Sequence, residues 1–197
     1  MTTTTLPALY DRLEEAAGEA RRIARGATGT PLDSPTPASG WDLRALLNHW
    51  MLYTAYGLER RARREPIPDE LTARDLTADP DWPARYAAQL DRALAAWRDP
   101  AAWAGEVDLG GMAVPAADVA GMILKELLVH GWDVAAATGQ QVTCSEQTAR
   151  AVLDVVVAHG ELFRRYGGFA DPLPVPEGTP TFERALRLSG RDPRWRP

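Results

Sequence analysis

The stretch Gly121-Met-Ile-Leu-Lys-Glu126-Leu-Leu-Val-His130-Gly-Trp-Asp133 decides the fold. Read as a helix, it places Glu126 and His130 on one face, about 40° apart at 100° per residue. Val119, Met122, Ile123, Leu127, Val134 and Ala137 share that face. A carboxylate and an imidazole in an apolar stripe need a partner, because burying an unpaired charge costs several kcal/mol or forces its neutralisation. A divalent metal ion suits both groups at once.

Working outward, the helix containing this stretch opens around Pro115 and Asp118 and stops at Gly139. A first helix runs from about Leu6 to Arg25, with Leu9, Leu13, Ala16, Ala17, Ala20 and Ile23 at helical spacing. A loop rich in Gly, Thr, Pro and Ser follows, to Gly40. The second helix starts near Trp41, where Ser39 and Asp42 resemble a capping box, and ends in the basic run Arg60 to Arg64 before Pro66 and Pro68. Glu65 to Pro80 reads as an irregular excursion. A third helix spans about Trp82 to Arg98. Trp103 to Val114, with Gly110-Gly111, reads as a small hairpin or an irregular loop. A fifth helix runs from Ser145 to about Tyr166, and a short one, Thr181 to Ser189, follows a Pro-rich tail. The order is all-α, and a helical bundle is the natural architecture. Residues 1–197 read as one domain, with 168–197 as a C-terminal tail packing on it.

Composition narrows the classes. The 197 residues carry a net charge of −5 and 45% apolar residues, which suits a globular domain and points away from nucleic acid and anionic membrane as partners. No segment approaches the ~18 consecutive apolar residues of a membrane span. The N-terminal Met-Thr-Thr-Thr-Thr-Leu-Pro lacks the pattern of a signal peptide. Cys144 is the only cysteine, so no intrachain disulfide forms, consistent with a reducing cytoplasm; it reads as a small residue near a helix start. Lys125 is the only lysine in an arginine-, alanine- and proline-rich chain. That skew is common in GC-rich genomes such as those of actinobacteria. The order of association is open between monomer and homodimer.

Two ligands hold a metal weakly, so a third must come from a facing helix. His49, beside Tyr53 and Tyr56, and His159, beside Val155, Val156 and Phe163, are the remaining histidines. Spacing alone does not choose between them. A His₂Glu set with an open position is the composition of catalytic zinc sites; nickel fits these donors nearly as well. The plainer alternatives are a core histidine satisfied by one hydrogen bond, or Glu126 and His130 bonded to each other. There is no phosphate-binding loop and no Gly-x-Ser-x-Gly nucleophile elbow.

The metal candidates lie inside longer strings. Ser34-Pro-Thr-Pro-Ala-Ser-Gly-Trp-Asp-Leu-Arg-Ala-Leu-Leu-Asn-His49 resembles the N-terminal signature of the actinobacterial mycothiol-dependent maleylpyruvate isomerase-like family, within the DinB/YfiT-like superfamily. Glu126-Leu-Leu-Val-His-Gly-Trp-Asp-Val-Ala-Ala-Ala-Thr-Gly139 resembles its second signature, and Phe169 to Val175 and Leu188 to Trp195 its closing segments. The resemblance implies an up-down-up-down four-helix bundle with an extra helix. It also implies one divalent metal, with His49, Glu126 and His130 as ligands. His159 then becomes a packing or surface residue. Asp133, about 60° from His130, is a candidate to orient a ligand. Tyr53 and Tyr56 are candidates to line a pocket beside the metal, and Trp132 is expected to pack away from it. Two departures stand out: Ala38 occupies a position where the family often has Cys, and a short tail stands where maleylpyruvate isomerase has a second α/β domain.

The functional expectation is a metal-dependent transferase or isomerase of cytoplasmic location. Its co-substrate would be a small thiol, mycothiol, whose thiolate attacks an electrophilic small molecule. The alternatives are a non-catalytic metal- or small-molecule-binding protein, and a metal-dependent hydrolase.

Overall fold

The computed structural model describes residues 6–197. Residues 1–5, which include most of the stretch read as lacking a signal peptide, lie outside the described residues. The helices are α1 (Ala8–Gly26), α2 (Leu43–Met51), α3 (Gly57–Ala62), α4 (Asp69–Thr72), α5 (Trp82–Trp97), α6 (Ala116–Ala137), α7 (Glu146–Arg165) and α8 (Thr181–Leu188). A π turn, Leu52–Tyr56, joins α2 to α3 without a break. None of these helices is long and apolar enough to cross a membrane.

The bundle proper is α1, the α2–α3 rod, α5 and α6. Its core is built from the faces that periodicity marked: Leu13, Ala16, Ala20 and Ile23 of α1, Leu46, Leu47, Trp50 and Leu58 of the rod, Leu90 and Trp97 of α5, and Leu124, Leu127 and Val134 of α6 are all buried. Buried tryptophans need a home for the indole N–H. Trp50 Nε1 donates to Leu127 O (3.2 Å), and Trp97 Nε1 donates to Leu58 O (2.8 Å), so each ties two helices together. Gly131 of α6 faces Trp50 of the rod, where a Cβ would sit 3.4 Å from Trp50 Cζ2, in van der Waals contact.

The all-α bundle with its extra helix stands, but the direction of α5 differs from the up-down-up-down expectation. Arg98 pairs with Glu14, Arg21 with Asp91, and Tyr10 donates to Leu94 O, so α1 and α5 are antiparallel. Thr54 bonds Tyr86 and Leu58 O accepts from Trp97, so the rod and α5 run parallel. His49 faces Glu126 and His130, whereas Tyr53 and Gly57 share a cavity wall with Val119 and Met122. The rod is therefore antiparallel to α6. The order is up-down-down-up. The long excursion between α3 and α5 makes this possible, because a parallel neighbour needs a return crossover that a tight turn cannot supply.

The excursion is less irregular than expected: it contains α4 and is pinned to α2 through Asp75. Asp75 accepts from Asn48 Nδ2 (3.0 Å), Arg44 Nη1 (2.9 Å) and Thr77 Oγ1 (2.6 Å). The N-cap of α2 is Asp42, whose carboxylate accepts from Ala45 N at 2.8 Å, rather than Ser39. Of the two readings of Trp103 to Val114, the hairpin holds. Strand β1 (Glu106–Asp108) pairs antiparallel with β2 (Ala113–Pro115), in register Val107 to Val114. Gly110 and Gly111 (φ 78° and 95°) make its turn in the left-handed region open to glycine.

Helix α7 lies against α6, with α8 packed on α7. The N-cap of α7 is Ser145, the residue from which the sequence starts the fifth helix. The chain after α8 then folds back over the side of the bundle that carries His130.

Candidate metal centre

Two helices supply the three candidate ligands. His49 is on α2, one turn before the π segment; Glu126 and His130 are on consecutive turns of α6. The structure brings them together: one ligand atom from each lies within 4.8 Å of the others. Glu126 Oε2 is 3.3 Å from His130 Nε2 and 3.6 Å from His49 Nε2. The two imidazole rings meet edge to face, with centroids 5.0 Å apart.

Two of the three ligands are held from behind by a hydrogen bond. His130 Nδ1 is 2.9 Å from Asp133 Oδ2, which leaves Nε2 directed at Glu126. Asp133 is fully buried and is in turn bound by Arg191 of the tail, at 3.1 Å to Oδ2. Burial pushes the Asp133 carboxyl pKa up, but Arg191 and His130 outweigh it and hold the group below its usual value. Glu126 Oε1 accepts from Lys125 Nζ. Burial likewise opposes ionisation of Glu126, and the charges of Lys125 and His130, with the nearby His49 ring and the hydrogen bond from Lys125, overcome it. Its pKa lies well below the ordinary carboxylate range. Lys125 is itself buried, with its ammonium 4.2 Å from the Phe163 ring centroid and 5.3 Å from that of Phe169. Trp41 covers both imidazoles, with centroids 4.6 Å from His49 and 5.9 Å from His130.

This arrangement leaves one polar atom unexplained. Glu126 Oε2 is closed from solvent and has no well-directed hydrogen bond. An ionised carboxylate oxygen in that state is costly. It points at the same spot as two imidazole nitrogens, and that donor chemistry fits a divalent cation.

Of the other expected residues, Tyr53 lies beside His49 (centroids 4.6 Å) and lines the adjoining cavity. Tyr56 does not reach the site. It faces Met51, Trp82 and Tyr86 across the rod. A π turn takes more than four residues, so Tyr56 is swung off the face that His49, Tyr53 and Gly57 share. His159 packs near Phe163 (6.1 Å) and stands apart from the triad. Cys144 is half-buried, and burial, with Glu15, Glu19 and Glu146 nearby, pushes its thiol up to about 11. It is a poor nucleophile at neutral pH.

Lys125, Trp41 and Arg191 were not foreseen as site residues. A lone lysine in an arginine-rich chain, next to a candidate ligand, was a usable signal for the first. Nothing local marked Arg191. Its position depends on Gly190, which takes φ 82° and whose Cβ would fall 2.6 Å from Ala170 Cβ.

Two cavities meet at the triad. One, of about 490 Å³, is walled by Trp41, Lys125, His130, Phe169, Tyr166 and Arg191; the other, of about 320 Å³, by Tyr53, Arg61, Ile67, Leu109, Met122 and Ile123. His49 and Glu126 line both.

Comparison with known proteins places the chain. Residues 13–135, more than half of it, match the mycothiol maleylpyruvate isomerase N-terminal domain. The chain belongs to that family. It is 31% identical over 173 residues to uncharacterized protein Rv0738 of Mycobacterium tuberculosis (strain ATCC 25618 / H37Rv), covering 81% of this chain and 85% of the relative. The same figures hold for uncharacterized protein MT0763 of M. tuberculosis (strain CDC 1551 / Oshkosh). Among solved structures, the chain superposes on a mycothiol-dependent maleylpyruvate isomerase with a TM-score of 0.58 at 21% identity, covering 79% of this chain and 72% of the other. That match shows a common fold.

Proposed function

We propose that this protein is a thiol-dependent enzyme, a transferase or isomerase with mycothiol as co-substrate, whose divalent metal is held by His49, Glu126 and His130. Zinc is the expected ion and nickel the alternative. The observation that carries the reading is the buried, unpartnered Oε2 of Glu126 converging with two imidazole nitrogens. Family membership supplies the thiol.

The residues divide the work. Asp133 holds Nδ1 of His130, so the imidazole keeps its tautomer and aims Nε2 inward. Lys125 occupies Oε1 of Glu126 and leaves Oε2 free to ligate. Trp41 and Phe169 shield the site from bulk water and strengthen its electrostatics. The larger cavity, within the usual range for small ligands, receives the thiol beside Trp41 and Tyr166. A bound divalent ion favours the thiolate at neutral pH.

The test has two parts. Elemental analysis of purified protein should find about one zinc or nickel per chain, and His130→Ala should carry none. Mycothiol should then bind in the submillimolar range and turn over with at least one member of a panel of electrophiles. A full metal load in His130→Ala overturns the ligand set. Absence of both thiol binding and turnover overturns the enzyme reading.

A further inference from the structure

The smaller cavity is a different environment from the one beside Trp41. Val119, Met122 and Ile123 of α6, Gly57 of α3, Ile67 of the excursion and Leu109 of the hairpin turn form its apolar wall. It runs along α6 from Glu126 to Val119, about 10 Å at 1.5 Å per residue. Its volume of about 320 Å³ is at the small end of ligand sites. One cation faces it. Arg61 is half-buried and gives one N–H to Asp108 O (3.1 Å), leaving most of its donors free. The Asp108 carboxylate beside it is engaged by Gly111 N at 2.6 Å. At the opposite end stand His49 and Glu126.

We propose that this pocket binds a small carboxylic acid with an apolar body, its carboxylate on Arg61 and its other end beside His49 and Glu126. The assignment rests on the functional reading above in one respect: it names the chemical class of the second substrate, on the side of the triad away from the thiol. Three features select that class. Along the body of the ligand the wall offers only the Tyr53 hydroxyl to hydrogen-bond, so sugars and polar amides, which need several partners, would be desolvated with little return. The single guanidinium suits one carboxylate by a charge-assisted pair of bonds. Burial draws the Arg61 pKa down, a sign that this guanidinium has lost water an anion can replace.

The test is calorimetric titration with octanoate, octanol and octylamine, with no thiol present, so a failed thiol assay leaves the outcome standing. Octanoate should bind about tenfold or more tighter than octanol, because a site built around a polar partner rejects the analogue that lacks it. Octylamine should not bind. Arg61→Gln should erase the preference for acid over alcohol while metal content stays at the wild-type level, which reports an intact fold; Arg61→Lys should restore part of it. Met122→Trp, which fills the pocket, should abolish binding of acid and alcohol alike. Equal binding of octanoate and octanol, no binding of either, an acid preference that survives Arg61→Gln, or octanoate binding that survives Met122→Trp would each overturn the proposal.

Discussion

Glu15 and Glu126 are both ionised carboxylates set between helices, and they end in opposite states. Glu15, on α1, accepts from Ser145 N, Ser145 Oγ (2.8 Å) and Thr148 Oγ1, so both its oxygens are engaged at the start of α7. Glu126, on α6, has one oxygen on Lys125, and the other faces two imidazole nitrogens with no well-directed hydrogen bond. A satisfied half-buried carboxylate is structure: it locks the α1–α7 junction at the start of the helix that Ser145 caps. An unsatisfied one is a cost that the fold tolerates only where something else binds. The comparison separates residues that hold the protein together from residues kept for a ligand.

The sharpest way to break this comparison is to remove the carboxylate at each place. Glu126→Ala should take metal content from about one ion per chain to none, by elemental analysis, and urea unfolding of the metal-free variant should be little changed. Glu126 contributing mainly to stability would show instead as a lower unfolding midpoint with the metal retained. Next in size is Asp133→Asn, which weakens the hold on His130 Nδ1. It should lower metal affinity about 10–100-fold in a chelator competition, the usual scale for a partner behind a ligand. Unchanged affinity would make the Asp133–His130 contact purely structural.

Glu15→Ala provides the opposite case. It should cost about 1–3 kcal/mol of stability in urea, from the unpaired groups at the start of α7, while metal content stays whole. Loss of metal in this variant would mean that the junction and the site are coupled. The smallest effect belongs to Asp75, where hydrogen bonds from Thr77 lead the causes that bring its pKa from 3.8 to about 2. A depressed carboxylate stabilises above its unfolded value and loses that contribution as pH falls through its folded value. Thermal melts taken between about pH 4 and about pH 2 should therefore show wild type losing stability more steeply than Asp75→Asn. Equal slopes would remove Asp75 from the acid response.

Part of the site was open to a reader of the chain. Glu126, His130 and Asp133 lie within two turns of one helix, and helical geometry alone puts them on neighbouring faces. His49 is 77 positions before Glu126 and came only from resemblance; spacing left it level with His159. Tyr56 shows why. An α-helical period carries it beside Tyr53, yet the π turn at Leu52–Tyr56 shifts the phase, and no residue there announces a π turn. Arg191 is more remote still, because it reaches Asp133 only after the chain has left α8 and turned at Gly190.

By itself the sequence determined where the long helices run, which face of each is buried, that α7 starts at Ser145, and that Glu126 and His130 share a stripe. Those are local facts, set by 3.6 residues per turn and by side chains competing for nearby backbone groups. Only the tertiary structure decided that α5 runs parallel to the α2–α3 rod, that Lys125 lies under two phenylalanine rings, and that the tail anchors His130 through Asp133. Periodicity fixes the angle of a side chain about its own axis; it carries no information on the direction, rotation or register of the neighbouring helix. Those follow from how side chains of particular shapes interlock across the core.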